Sequence, residues 1–196
     1  MKAENKHSKI ITAATKVFAK KGFFTARISD IAKEAKVADG TIYLYFNNKY
    51  DILLSVFEEG VGKILGKTQK LLAANDDPVE MLRIYVIEHL TAMRKNKNLA
   101  EVIQIELRQT NKVIKQYRDK KFSEYTGIIT TIIQFGQEKG VFRSDIHPDL
   151  SKRILFGALD EVSRVWNVTL ETHYTVEEVA DQVLTIFLRG IMVANN

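Results

Sequence analysis

Residues 28–49 read ISDIAKEAKVADGTIYLYFNNK. Ile28, Ile31, Ala32 and Ala35 fall on one face of a short helix, and Lys36-Val37-Ala38 makes a tight connection. Asp39 is placed to cap a second short helix, in which Ile42 and Phe46, four residues apart, turn back on the first. Thr41, Tyr43, Leu44 and Tyr45 are left on the outer face. Two short helices so joined make a helix-turn-helix, whose second helix suits the major groove of a duplex.

Upstream, helical spacing of Ile10, Ala14, Val17 and Lys21 predicts a helix from about Lys6 to Lys21, ended by Gly22 as a left-handed cap. Phe23 and Phe24 are expected to pack the turn that follows. Downstream, Asn48 and Asp51 resemble a capping box opening a helix over about Lys49–Ala73. Its apolar side is Ile52, Leu53, Val56, Phe57, Ile64, Leu71 and Leu72. Gly60, Gly62 and Gly66 inside it cost about 1 kcal/mol each against alanine, for a pivot or for close helix packing. Asp77, Pro78 and Glu80 open a fifth helix to about Arg94, and Leu99–Gln109 a sixth. A long helix is predicted over Asn111–Lys139, then one from Pro148 to about Glu171 and a last from Thr175 to about Val193. No strand pattern is visible. The fold class is all-α, with about nine helices.

The chain has 196 residues, 45% hydrophobic and 27% charged, enough for one ordinary domain or two small ones sharing a helix. Two prolines and ten glycines argue against a β-sandwich. The absence of cysteine excludes disulfides and thiolate zinc sites, and fits a cytoplasmic location. No apolar run reaches the ~20 residues of a membrane span. The first 22 residues could pass for an export leader, but Lys16 interrupts the apolar core. The net charge of +5 is uneven: residues 1–50 carry +6 and the remainder −1. Surplus positive charge beside a helix-turn-helix suits a polyanion at that end.

Enzymatic readings fare poorly. There is no cysteine nucleophile, no phosphate-cradling glycine loop and no H-E-x-x-H pair, and the histidines at 7, 89, 147 and 173 are scattered. Neither catalytic residues nor a metal site are expected. A nonspecific chromosome-packing protein would need no large apolar second half.

The segments GFFT (Gly22–Thr25), DIA (Asp30–Ala32) and GTIYLYFNNK (Gly40–Lys49) resemble the signature of TetR-type transcriptional repressors. The resemblance implies a DNA-binding domain of three helices over residues 1–48. It also implies an effector-binding and dimerisation domain over 49–196, and a homodimer built on the last two long helices. More finely, VADGTIYLYF (Val37–Phe46), ELRQTN (Glu106–Asn111) and FGALDEVSRVW (Phe156–Trp166) resemble the Bacillus-type fatty-acid-degradation regulators of that family, whose effectors are long-chain acyl-CoA thioesters. Two positions depart from the family pattern. Lys36 stands where glycine is usual, and Arg27 replaces the Ser/Thr cap of the first short helix, leaving Thr25 as a substitute.

Carried onto this chain, the motif puts Thr41, Tyr43, Tyr45 and Lys49 at backbone phosphates. Asp39, Gly40, Thr41 and Leu44 then meet base edges, with Arg27 and Ser29 at the flank. A two-fold dimer calls for a palindromic operator with half-sites ~34 Å apart, and phosphate contacts make affinity fall with salt.

Two apolar stripes mark the helix after Pro148: Leu155, Leu159, Val162 and Trp166 on one side, Ile154, Val165 and Val168 on another. One can face the interior, while the other pairs with a second copy together with Val176, Val179, Val183, Phe187 and Ile191; Gly157 and Gly190 would allow close approach. Glu88, His89 and Glu106 interrupt apolar stripes and call for Arg108, Arg118 or a ligand, an ion pair being the commoner role. Ile84, Ile87, Ile103, Leu107, Ile129, Ile133, Leu155, Leu159 and Trp166 suit an acyl chain, with Arg108, Lys112, Lys115 and Arg118 available to a CoA head. No cofactor is expected, only an effector. The function expected is a repressor released from its operator by long-chain acyl-CoA, controlling fatty-acid degradation. The alternative is a repressor that senses hydrophobic drugs and controls an efflux pump.

Overall fold

The computed structural model describes residues 2–106, 121–165 and 173–193, the side chains of 2–5 and 106 excepted. Among them are nine helices: α1 Lys2–Lys21, α2 Ile28–Ala35, α3 Asp39–Tyr43, α4 Lys49–Leu72, α5 Pro78–Lys95, α6 Lys97–Glu106, α7 Ser123–Glu138, α8 Pro148–Val165 and α9 Val176–Ile191. The expected starts and ends at Asn111, Gln109 and Glu171 lie outside the described residues. Two compact units result. The first is Met1–Gly62 with Asn96–Lys121, the second Lys63–Lys95 with Phe122–Asn196. The first half of α4 and all of α6 thus join the N-terminal helices, whereas the sequence suggested a division at residue 48.

In the first unit α1 packs on α2 and α6, and Ile10, Ala14, Val17 and Phe18 of α1, Ile31 and Ala32 of α2, and Ile52, Leu53, Val56 and Phe57 of α4 are all buried. Gly22 ends α1 with φ +73°, its N–H donating to the Phe18 carbonyl at 2.8 Å. Phe23 and Phe24 do not both pack inward, as neighbours in a turn point apart. Phe23 is buried against Phe18 and Tyr50, with ring centroids 5.5 and 4.8 Å away, while Phe24 is 63% exposed. Among the described residues, Gly60 alone of the three glycines in α4 faces a neighbour: a Cβ there would lie 2.6 Å from Leu99 Cδ1 of α6, so it serves close packing.

The second unit is built on α5, α7, α8 and α9 around Leu82, Tyr85, Val86, Leu90, Ile129, Ile132, Ile133, Leu155, Leu159 and Leu184. Asp77 caps α5 by accepting from the Val79 N–H at 2.9 Å. Thr175 and Glu178 form a full capping box on α9: the Glu178 N–H donates to Thr175 Oγ1 at 3.1 Å and the Thr175 N–H to Glu178 Oε2 at 2.7 Å. Among the described residues no helix is long and apolar enough to cross a membrane.

Candidate nucleic-acid interface and effector site

The sequence folds α2 and α3 as its spacing dictates. Ile31, Ala32, Ile42 and Phe46 are buried, and Ile28 and Ala35 of the predicted inner face are half-buried. Lys36 takes the left-handed conformation (φ 57°, ψ 47°) that the turn demands, at a cost of order 1 kcal/mol for a residue with a Cβ. Its N–H still closes the helix on the Lys33 carbonyl at 3.2 Å.

The caps differ from expectation. Arg27, not Thr25, holds the cap position of α2, and its N–H donates to Asp30 Oδ2 at 3.0 Å. Lys21 donates to the other oxygen of Asp30 at 2.7 Å; that bond first, and the Arg27 N–H second, hold the Asp30 carboxyl below its usual range. Asp39 does not cap α3. Ala38 stands there with no side-chain bond, and Asp39 is the first helical residue. Asn48 accepts from the Asp51 N–H at 3.0 Å as predicted, but Asp51 reaches back to the N–H of Asn47 at 3.1 Å rather than to Asn48.

Outside this unit lie Arg27, Ser29, Asp39, Gly40, Tyr43 and Leu44, all exposed, with Thr41 and Tyr45 half-buried. Tyr43 is 59% and Leu44 81% exposed. Tyr45 leans on His7, ring centroids 6.1 Å apart, and His7 in turn stacks on Phe46 at 5.0 Å with Nδ1 3.4 Å from Glu59 Oε1 of α4. No spacing in the sequence signals this cluster. Lys49 is turned inward relative to the phosphate role expected of it. Its ammonium donates to the carbonyls of Ala26 at 2.8 Å and Phe24 at 3.1 Å and lies 4.7 Å over the Phe23 ring. It ties the loop before α2 to the start of α4.

In the second unit Glu88 forms an ion pair with Lys67 of α4, Nζ to Oε2 2.5 Å. This described partner is a lysine of the preceding helix, while Arg108 and Arg118 lie outside the described residues. His89 is buried; its Nδ1 lies 2.9 Å from the Tyr125 hydroxyl, and its ring meets Phe156 edge-on at 5.6 Å. Burial pushes its pKa down to about 4, so the ring is neutral at neutral pH. Tyr85, one turn before His89, stacks on Tyr125 at 5.2 Å. Burial raises both phenols, each of which also acts on the other's ionisation; among the described residues the Tyr85 hydroxyl has no partner in hydrogen-bond geometry. His89 Nε2 and Thr68 Oγ1 are likewise buried without a partner. Ile129, Leu155 and Leu159 are fully buried in the same unit. Ile103 is buried in the first unit; Leu107, Arg108, Lys112, Lys115, Arg118, Trp166 and the Glu106 side chain lie outside what is described.

One strip of the surface of α8 and α9 is apolar. Leu150 and Ile154 are 60% and 66% exposed and Ile186 74%, beside an open groove of about 450 Å³ that reaches Val162 and Val183. Val176, Phe187 and Ile191, expected at a subunit contact, are buried within the single chain with Ala180 and Leu184, although Phe187 and Ile191 also line this groove. Arg83 of α5 pairs with Asp181 of α9 on the outside.

Comparison with known proteins agrees with this geometry. Residues 10–56 match the family described as bacterial regulatory proteins, tetR family, and residues 57–190 match the YsiA-like protein, C-terminal region. The fatty acid metabolism regulator protein of Bacillus subtilis (strain 168) is 34% identical over 186 residues, 95% of each chain. The fatty acid degradation regulator FadR from Bacillus halodurans is 37% identical, with a TM-score of 0.84 over 93% of this chain and 98% of that one. FadR from Bacillus subtilis in complex with stearoyl-CoA is 34% identical, with a TM-score of 0.86 over 94% of this chain and 98% of that one. These relatives are transcriptional regulators, not enzymes. Helix-turn-helix, two-part helical architecture and similarity along nearly the full length lead to one conclusion: the chain belongs to the TetR family of bacterial regulatory proteins.

Proposed function

We propose that the chain is a cytoplasmic, homodimeric repressor of fatty-acid degradation that leaves a palindromic operator when a long-chain acyl-CoA thioester binds its effector-binding part, residues 49–196. The carrying observation is the set of buried atoms without partners: Tyr85 OH, His89 Nε2 and Thr68 Oγ1, in a unit otherwise packed with aliphatic and aromatic side chains. Such groups cost free energy until a ligand's polar atoms meet them, and an apolar interior with a few convergent polar points is the usual form of a small-molecule site. A relative bearing stearoyl-CoA favours an acyl thioester over a drug. Glu88, Ile129, Leu155 and Leu159 belong to the proposed effector residues with His89, while Ile103, Glu106, Leu107, Arg108 and Trp166 stay among them on the resemblance alone.

At the other end Thr41, Tyr43 and Tyr45 hold phosphates, and Asp39, Gly40, Thr41 and Leu44 meet bases, with Arg27 and Ser29 beside them. α4 runs from Lys49 to Leu72, and the proposed release acts through this helix. The test is release of a fluorescent duplex, enriched by the protein from a random pool, under palmitoyl-CoA, CoA, palmitate or a hydrophobic dye. Palmitoyl-CoA alone should release it, and DNA should weaken palmitoyl-CoA binding by the same factor. Release by the dye and not by palmitoyl-CoA would establish the drug-sensing alternative instead.

A further inference from the structure

Residues 38–46, ADGTIYLYF, contain no Arg, Lys, Asn or Gln. These are the side chains that grip purine edges bidentately in the major groove. The nearest cation downstream, Lys49, has its ammonium on the Ala26 and Phe24 carbonyls. What the recognition turn does extend is Leu44, 81% exposed and the most exposed of the large apolar side chains described. It follows α3 in right-handed helical geometry (φ −74°, ψ −18°), two residues from the buried Ile42 and so on the opposite face of the turn.

An isobutyl group held out in water gains nothing until it meets an apolar partner. The base edges of the major groove offer one such group, the C5 methyl of thymine. Resting on the DNA-binding function proposed above, we infer that Leu44 determines sequence specificity by packing on a thymine methyl in each operator half-site. Tyr43, Tyr45 and Thr41 position the helix on phosphates while Leu44 distinguishes T from C and from the purines. The operator is therefore read chiefly by shape and methyl contact rather than by bidentate hydrogen bonds.

The experiment uses full-length protein and duplexes enriched from a random pool. In synthetic copies each thymine is replaced in turn by deoxyuridine, which keeps base pairing and the O4 acceptor and removes only the methyl. Burying one methyl-sized group corresponds to about a fourfold change in affinity, and about fifteenfold when both half-sites are altered. The wild type should lose that much at one symmetric thymine position, and Leu44→Ala should lose nothing further there while responding normally at every other. Leu44 is exposed, so the variant keeps the fold. The inference fails if uracil is tolerated everywhere, or if the sensitive position stays as sensitive in Leu44→Ala. Should the protein enrich no sequence at all, the repressor reading fails first and this inference with it; enrichment without coupling to Leu44 overturns this inference alone.

Discussion

The ammonium of Lys49 sits 2.8 Å from the carbonyl oxygen of Ala26, joining the first turn of α4 to the loop that enters α2. With its ammonium on two carbonyls, Lys49 is expected to position the reading unit rather than to make a salt-sensitive phosphate contact. Lys49→Met is expected to lower stability by about 1 kcal/mol. It should weaken operator binding with the salt dependence unchanged. Loss of about one unit from the slope of log affinity against log salt would return Lys49 to the phosphates.

Tyr43 stands out at 59% exposure with no inward role. On the proposed placement Tyr43→Phe removes one phosphate hydrogen bond, so affinity should drop by about 1 kcal/mol, alike for operator and unrelated duplexes. Anisotropy titrations at moderate salt measure it. Equal affinity of mutant and wild type contradicts the placement.

His89 couples stability to acidity. Its folded pKa of about 4 lies below the unfolded value near 6.5, so the unfolded chain binds the extra proton between the two. The contribution of neutral His89 is complete above pH 6.5 and is lost as pH falls toward 4. Between pH 7 and pH 5 it shrinks by about 2 kcal/mol. His89→Asn should be less stable than wild type at pH 7.5, with the gap closing at pH 5. Denaturant melts showing a constant gap would contradict the burial argument.

Ile154 and Ile186 contribute little to their own unit, at 66% and 74% exposure. Ile154→Glu and Ile186→Glu should leave the melting temperature of the subunit nearly intact and convert the protein to monomer in sedimentation. Operator affinity should then fall at least a hundredfold, because two half-sites no longer share one molecule. A wild-type monomer would remove the basis for a palindromic site.

The glycines of α4 separate packing from flexibility. A Cβ at Gly66 meets nothing within 4 Å, whereas at Gly60 it runs into Leu99. Gly66→Ala should stabilise by about 1 kcal/mol and blunt the response to palmitoyl-CoA, and Gly60→Ala should destabilise. Thermal melts and release assays on both variants give the comparison; shifts of the same sign contradict it.

The inward set of α2 and α3 was readable because Ile42 and Phe46 have one spacing and no competitor. The stripe of α9 was not. With Val176, Val179, Val183, Leu184, Ile186 and Phe187 spread around the helix, periodicity does not say which side meets the subunit's own core. Long side chains escape pattern reading for another reason: Lys49 occupies an outward position yet folds back to carbonyls. Contacts remote in sequence, such as His7 on Glu59 and Lys67 on Glu88, leave no local trace. Tyr85 and Thr68 looked like ordinary helix residues, and only burial without partners marks them out. Asp39 as a cap was a residue-type inference, and the chain started the helix one position earlier.

A helix of 24 residues is about 36 Å long at the usual rise per residue. Tilting such a rod by about 5° carries one tip roughly 3 Å, close to the step from one base pair to the next. A few ångströms of movement in the first turns of α4 is therefore all that the proposed release asks for: ~3.4 Å, one base-pair step, separates being in phase with the groove from missing it.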